Sequence, residues 1–401
     1  MPEKPIILIF PFDLMSHFFR SLRVAIALKD NYEVYMNGSG RYDYWLEKAG
    51  IKSFSCLQLD AENALEKIGE FDFSWLNAAA LETVYLDQVR TIEKFKPALV
   101  IGDTSFSLKM AAEATGVRSL SILNAYSTRY YKHTRRLSPR HRAAPIIGWL
   151  PDIFYLPMVR MGEAWNFSQI LKEFNKVRAK YKLSLTPHYL EELAGDLNVL
   201  CDLPEIFPQK KLPDNFHFIG PLFCAFDLEN GSLLDKLDPA KRTILLTLGS
   251  STDWEHFTFI NREEFSAYNV IIVGEKSEIL DAPFLLKTQF VYYDKVLPEV
   301  DLVICHGGNG TLYHALKNKV PVLCLEAHLE QTWNIHRMEE LGYGQALNSR
   351  NPANIHQLVL EWLGKKSLIS WNLNFSSYNE QVQNELLLKI VSGPGPLPAS
   401  R

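Results

Sequence analysis

The sequence predicts an α/β protein built from two parallel-sheet units. Three observations carry that prediction. Short β-branched and leucine-rich runs alternate with helical patterns, the alternation starts again as a second series after residue 240, and a stretch marked by proline and glycine lies between the two series. With 401 residues, 47% of them hydrophobic and 22% charged, the chain is long enough for two cores of ordinary domain size.

In the first series, candidate strands fall at residues 6–10, 33–36, 98–102 and 120–123. The helix after the first strand is read over about 18–29, where Leu22, Ala25, Ile26 and Leu28 form an apolar face next to Arg20, Arg23 and Lys29. The second series places strands at 243–248, 270–273, 290–293, 301–305 and 320–325. Between them, Pro204, Pro208, Pro213, Gly220 and Pro221 lead into a polar segment that ends near Pro239. The domain reading is therefore 1–220, a linker at 221–240 and a second domain at 241–375, with a last helix at 376–391. Residues 392–401, rich in glycine and proline, have little to bury and are read as a disordered tail.

Composition excludes several classes. A formal net charge of −4 gives no overall pull toward nucleic acid, and no nucleic-acid partner is expected. The five cysteines are scattered without metal-ligand spacing, which fits buried thiols in a reducing compartment. The apolar run that ends at Pro11 is too short to span a bilayer, and no later run approaches the roughly 20 residues a membrane helix needs. A cytoplasmic protein is expected, in contact with a membrane at most at its surface.

The most informative segment is Val300-Asp301-Leu302-Val303-Ile304-Cys305-His306-Gly307-Gly308-Asn309-Gly310-Thr311, followed by Leu312, Ala315 and Leu316 at helical spacing. It reads strand, glycine turn, helix. Glycines let a backbone approach an anion closely, and the unpaired N–H groups and dipole of a helix start favour a phosphate. Thr311 adds a hydroxyl and His306 an imidazole. The turn has neither the GxxxxGK[ST] spacing of a triphosphatase loop nor the GxGxxG of a dinucleotide fold.

From Val300 to Gly344 the chain resembles the nucleotide-sugar glycosyltransferases of the GT-B fold, in particular the macrolide-type and plant-type enzymes. The resemblance rests on His306-Gly-Gly-Asn-Gly-Thr311, Val320-Pro321, Glu330-Gln331, Asn334, Arg337 and Leu341-Gly342-Tyr343-Gly344, in one register. It implies two Rossmann-like domains with parallel sheets facing across a cleft, the first binding acceptor and the second binding donor, and a final helix that crosses back. It also implies that His306, Gly307, Gly308, Asn309, Gly310 and Thr311 hold a diphosphate. Glu330 and Gln331 would hydrogen-bond the sugar, Ser250 and Ser251 would approach the phosphates, and Tyr292, within the 290–293 run, would stack on the base. Two departures stand out. His314 occupies the place where the family commonly has the glutamate that grips the ribose, and Glu330-Gln331 replaces an Asp-Gln pair.

Displacement at an anomeric carbon by a hydroxyl needs a base for the proton and a stabiliser for the departing diphosphate. By the resemblance the base is His17, which follows the first strand and opens the first helix. Asp103 ends the strand before it in the same domain. Strand C-termini share one edge of a parallel sheet, so His17 and Asp103 are expected to meet, with the carboxylate fixing the tautomer. The segment from Arg129 to Arg142 is basic and is followed by Trp149, Phe154, Met158 and Trp165, which permits a hydrophobic acceptor, an acidic acceptor or peripheral membrane contact. There is no Asp-x-Asp pair, so no metal and no cofactor beyond the nucleotide-sugar co-substrate is expected. These readings converge on an inverting enzyme that moves sugar from a UDP- or dTDP-sugar to a hydroxyl of a small-molecule or lipid-like acceptor. A nucleotide-sugar 2-epimerase of the same fold and a non-catalytic nucleotide-sugar-binding subunit are the alternatives.

Overall fold

A computed structural model of the chain describes residues 4–224, 231–248, 254–274, 277–326, 329–347 and 354–393. By internal contacts the chain divides into two units, one made of Met1–Arg135, Trp149–Cys224 and Leu373–Arg401, the other of Arg136–Gly148 and Ala225–Asn372.

The first unit holds a seven-stranded parallel sheet: β1 (Ile6–Pro11), β2 (Glu33–Asn37), β3 (Lys52–Phe54), β4 (Leu99–Asp103), β5 (Arg118–Leu123), β6 (Leu197–Leu200) and β7 (Phe216–Phe218). The spatial order is β3-β2-β1-β4-β5-β6-β7. Ile7, Leu8 and Ile9 of β1 and Val100 and Ile101 of β4 have no solvent exposure, which explains why these strands read as unbroken apolar runs. Each such side chain contributes about 1.5–3 kcal/mol by burial. The strand order reverses between β1 and β4, which pair from Ile7↔Leu99 to Pro11↔Asp103. That reversal opens a crevice at the carboxyl ends of the strands.

The first helix spans Met15–Leu28 and buries Phe18, Leu22 and Ala25 against the sheet. Its arginines depart from the sequence reading. Arg23 is buried rather than lying on a solvated flank, and its Nη2 donates to Asn384 Oδ1 at 2.8 Å. Asn384 belongs to the helix Glu380–Ser392, which is capped by the Asn379 side chain and buries Gln383, Leu387, Ile390 and Val391. Gln383 Nε2 donates to the carbonyls of Ile219 (3.0 Å) and Pro221 (2.8 Å), so this helix is stitched into the first unit.

The second unit holds a six-stranded parallel sheet: β8 (Thr243–Thr247), β9 (Asn269–Val273), β10 (Leu285–Thr288), β11 (Leu302–Cys305), β12 (Val322–Cys324) and β13 (Gly344–Ala346). Its order is β10-β9-β8-β11-β12-β13, with the reversal between β8 and β11. The strand read at 290–293 is not there. The sheet uses Leu285–Thr288, paired along β9, and the aromatic run instead leads into a short helix, Tyr293–Val296. Residues 136–148, read from sequence as part of the first domain, group with the second unit, where Trp333 Nε1 donates to the Arg136 carbonyl at 2.9 Å. Residues 394–401 of the tail lie outside the described residues.

Candidate functional site

At the strand reversal of the first unit the structure brings together His17 and Asp103. The helix Met15–Leu28 begins just past β1 and sets His17 in its first turn, while Asp103 is the last residue of β4. Nδ1 of His17 lies 2.7 Å from Oδ1 of Asp103, whose side chain is fully buried, whereas the histidine keeps 13% of its side-chain surface. Burial alone would raise the Asp103 pKa. The guanidinium of Arg20 and the neighbouring His17 outweigh that effect and hold the carboxyl below its ordinary value.

Arg20 is the residue the sequence reading left out. Its Nε donates to Asp103 Oδ2 at 2.7 Å and its Nη2 to Oδ1, while Nη1 donates to Asn124 Oδ1. Desolvation works against the Arg20 cation, but the Asp103 carboxylate more than compensates and its pKa is raised. The fork geometry suits a bidentate carboxylate contact. Thr104, directly after β4, has φ 55°, a left-handed conformation that costs a β-branched residue about 1–3 kcal/mol. Its hydroxyl stands 3.4 Å from both His17 Nδ1 and Asp103 Oδ1. One wall beside the histidine is aromatic: Phe12 meets His17 edge to face at 6.1 Å and packs on Trp75 and Phe106.

In the second unit the loop after β11 brings bare glycine backbone to the start of a helix. Gly307 has φ 85°, and a Cβ there would lie 2.9 Å from Ile335 Cγ1, so no other residue fits without displacement. Its carbonyl accepts from Asn334 Nδ2 at 2.9 Å, which ties the loop to the helix Leu329–Leu341. Gly308 caps the helix Asn309–Lys317, and a Cβ on it would come within 2.5 Å of His306 Nε2, so the imidazole lies against bare backbone. Gly310 faces open space. No carboxylate occupies the first turn of this helix, where the helix dipole and amide groups favour a negative ligand.

Around this loop the structure adds Tyr293. Its hydroxyl lies 3.2 Å from Thr247 Oγ1 at the end of β8 and also hydrogen-bonds Thr311, and its ring stacks on His314 at 4.7 Å. Burial pushes the His314 pKa down to about 4, so at neutral pH this ring carries no charge. Tyr292 caps the short helix, with the Lys295 ammonium 5.5 Å above its ring. Glu330 is half-buried in the first turn of its helix, Gln331 is buried, and the Gln331 backbone runs beside Gly307. Ser250 and Ser251 lie outside the described residues. Asn334 and Tyr293 were within reach of sequence reasoning, since the first stands in the same motif and the second adjoins the residue chosen.

No protein-family model matches the chain. Among curated proteins it is 23% identical over 345 residues to the PGL/p-HBAD biosynthesis glycosyltransferase of Mycobacterium tuberculosis, covering 84% of this chain and 78% of that one. Among solved structures, the glycotransferase of kitacinnamycin superposes with a TM-score of 0.67 at 15% identity over 99% of this chain and 98% of its own. The spinosyn rhamnosyltransferase SpnG complexed with thymidine diphosphate superposes with a TM-score of 0.62 at 13% identity, over 98% and 97%. Two parallel-sheet α/β units, each with its reversal of strand order, give the chain a GT-B fold, and with these likenesses they make it a glycosyltransferase.

Proposed function

We propose that the protein is an inverting, metal-independent transferase that moves a sugar from a nucleoside-diphosphate donor to a hydroxyl on a hydrophobic acceptor. The observation that carries this reading is the contact between His17 Nδ1 and the buried, ionised Asp103. With the Nδ1 proton donated to the carboxylate, Nε2 is left as the acceptor of a proton. The acceptor hydroxyl gives its proton to Nε2 while its oxygen forms a bond to the anomeric carbon. The bond from that carbon to the diphosphate oxygen breaks on the opposite face, which inverts the centre. The leaving diphosphate is received by the loop from His306 to Thr311 and the helix dipole behind it.

The relative whose structure contains thymidine diphosphate is a rhamnosyltransferase, which favours a dTDP-deoxyhexose over a UDP-hexose as donor. Supply from a cytoplasmic pool of nucleotide sugars belongs to the same reading. The aromatic wall of Phe12, Trp75 and Phe106 beside His17 favours an apolar or aromatic acceptor.

The test is calorimetry with dTDP and UDP in the presence of EDTA, followed by turnover of dTDP- and UDP-sugars against phenolic, sterol and lipid alcohols. His17→Ala should lower turnover by roughly 10²- to 10⁴-fold while nucleotide affinity stays unchanged. Native turnover in that variant would remove the base assignment. Donor epimerisation without transfer would replace the whole reading.

A further inference from the structure

The helix Asp152–Lys180 presents a long face that nothing in the first unit covers. Ile153 (75% exposed), Phe154, Met158, Met161 (73%) and Trp165 (67%) are all exposed, as is Trp149 just before the helix. At about 100° per residue, positions 153, 154, 157, 158, 161 and 165 fall within roughly 140° of one another and run about 18 Å along the axis. A continuous apolar face of this size on a soluble surface marks an interaction site.

Its borders carry one sign of charge. Arg160, exposed at one edge, donates through Nε to Thr134 Oγ1 at 2.7 Å, which sets the exposed Lys132 and His133 beside that edge. Lys172, exposed and seven residues beyond Trp165, closes the same arc. The acidic residues of this half of the helix lie off the face, and Glu163 is taken up by Arg135 at 3.0 Å. Indole rings at both ends, aliphatic and thioether groups between them and cations at the rim match the boundary of a bilayer, where tryptophan sits at headgroup depth and lysine and arginine meet lipid phosphates. A second copy seated on this face about a two-fold axis would set the basic rims against each other. Among the described residues no helix is long and apolar enough to cross a membrane, so the contact is one of surface.

We propose that this face docks the protein on an anionic lipid surface. The proposal is independent of the transfer chemistry and is tested without it. The full chain is co-sedimented with phosphatidylcholine vesicles with and without phosphatidylglycerol, at low and high salt. Alongside it runs the triple variant Phe154→Ser, Met161→Ser, Trp165→Ser, whose fold is checked by its melting temperature and by dTDP calorimetry. Binding should require the anionic lipid, weaken with salt and fall more than about tenfold in the triple variant. The charge variant Arg160→Gln, Lys172→Gln should lose the preference for anionic vesicles. Failure of the native chain to bind them, or a triple variant that binds as the native chain does, overturns the proposal. So does a native dimer that the triple variant turns into monomer, because the face would then belong to a second copy.

Discussion

Arg20 sits one helical turn beyond His17 and grips the same carboxylate: its Nε is 2.7 Å from Asp103 Oδ2, while His17 Nδ1 is 2.7 Å from Oδ1. The carboxylate is thus shared between a permanent cation and the imidazole. Arg20→Met should leave a buried charge with half its support, at a cost of about 3–5 kcal/mol in stability. Arg20→Lys keeps the charge but not the fork, and should remain folded while turnover falls about tenfold or more at unchanged dTDP affinity. Steady-state kinetics beside calorimetry checks this, and equal kcat in the lysine variant would show that the fork does not position the carboxylate.

Gly310 separates folding from ligand binding in the loop proposed to receive the diphosphate. A Cβ at this position meets nothing in the protein, and alanine is the better helix former by about 1 kcal/mol. Gly310→Ala should therefore hold or raise the melting temperature while weakening dTDP binding, because the added methyl enters the space assigned to the diphosphate. Unchanged affinity would move the diphosphate elsewhere.

His314 predicts a pH dependence of stability. Its folded pKa is about 4 because burial disfavours the charged ring, with Asp294 raising it and Lys317 lowering it by lesser amounts. Unfolded, it titrates near 6.5, so on acidification the unfolded chain takes up a proton that the folded chain refuses. Stability from this group is complete above about pH 6.5 and is lost as pH falls toward 4, by about 1–3 kcal/mol. His314→Gln should flatten that stretch of a urea-midpoint profile, and an unaltered profile would mean the ring is already protonated in the fold.

Trp75 offers a probe of the acceptor site proposed beside His17. Its indole is buried beside Phe12, and Nε1 has no hydrogen-bond partner among the described residues. An unpaired buried N–H costs about 1–3 kcal/mol unless a ligand accepts it. Trp75→Phe should leave stability within about 1 kcal/mol of native and raise the acceptor KM more than the donor KM. A change confined to the donor KM would place the acceptor away from this wall.

The sequence exposed the parts of this fold whose physics is local. β1, β4, β8 and β11 are central parallel strands, covered on both faces, so each carries an unbroken run of at least three apolar residues. β3, β7 and β13 are three-residue strands, too short to show a period. Phe290 to Tyr293 has the composition of a strand, yet Tyr293 is spent on Thr247, Thr311 and His314, contacts made by distant parts of the chain. Arg20 and Arg23 were hidden for the same reason. A charge on an amphipathic helix reads as solvated, and only their partners Asp103 and Asn384, 83 and 361 residues away, draw them inside. His17 and Asp103 were legible because the parallel sheet itself determines which strand ends lie together.

The docking of Glu380–Ser392 on the first unit has a consequence for how the chain is made. Arg23, Ile219 and Pro221 all wait for partners near residue 383, so a nascent first unit carries an open flank throughout translation of the second. The second unit, by contrast, is complete in one uninterrupted pass apart from residues 136–148. Of the two sheets, the one translated earlier is therefore the later to be sealed, and a chain stopped at residue 372 would carry the glycine loop after β11 in full while the unit that bears His17 stayed unfinished.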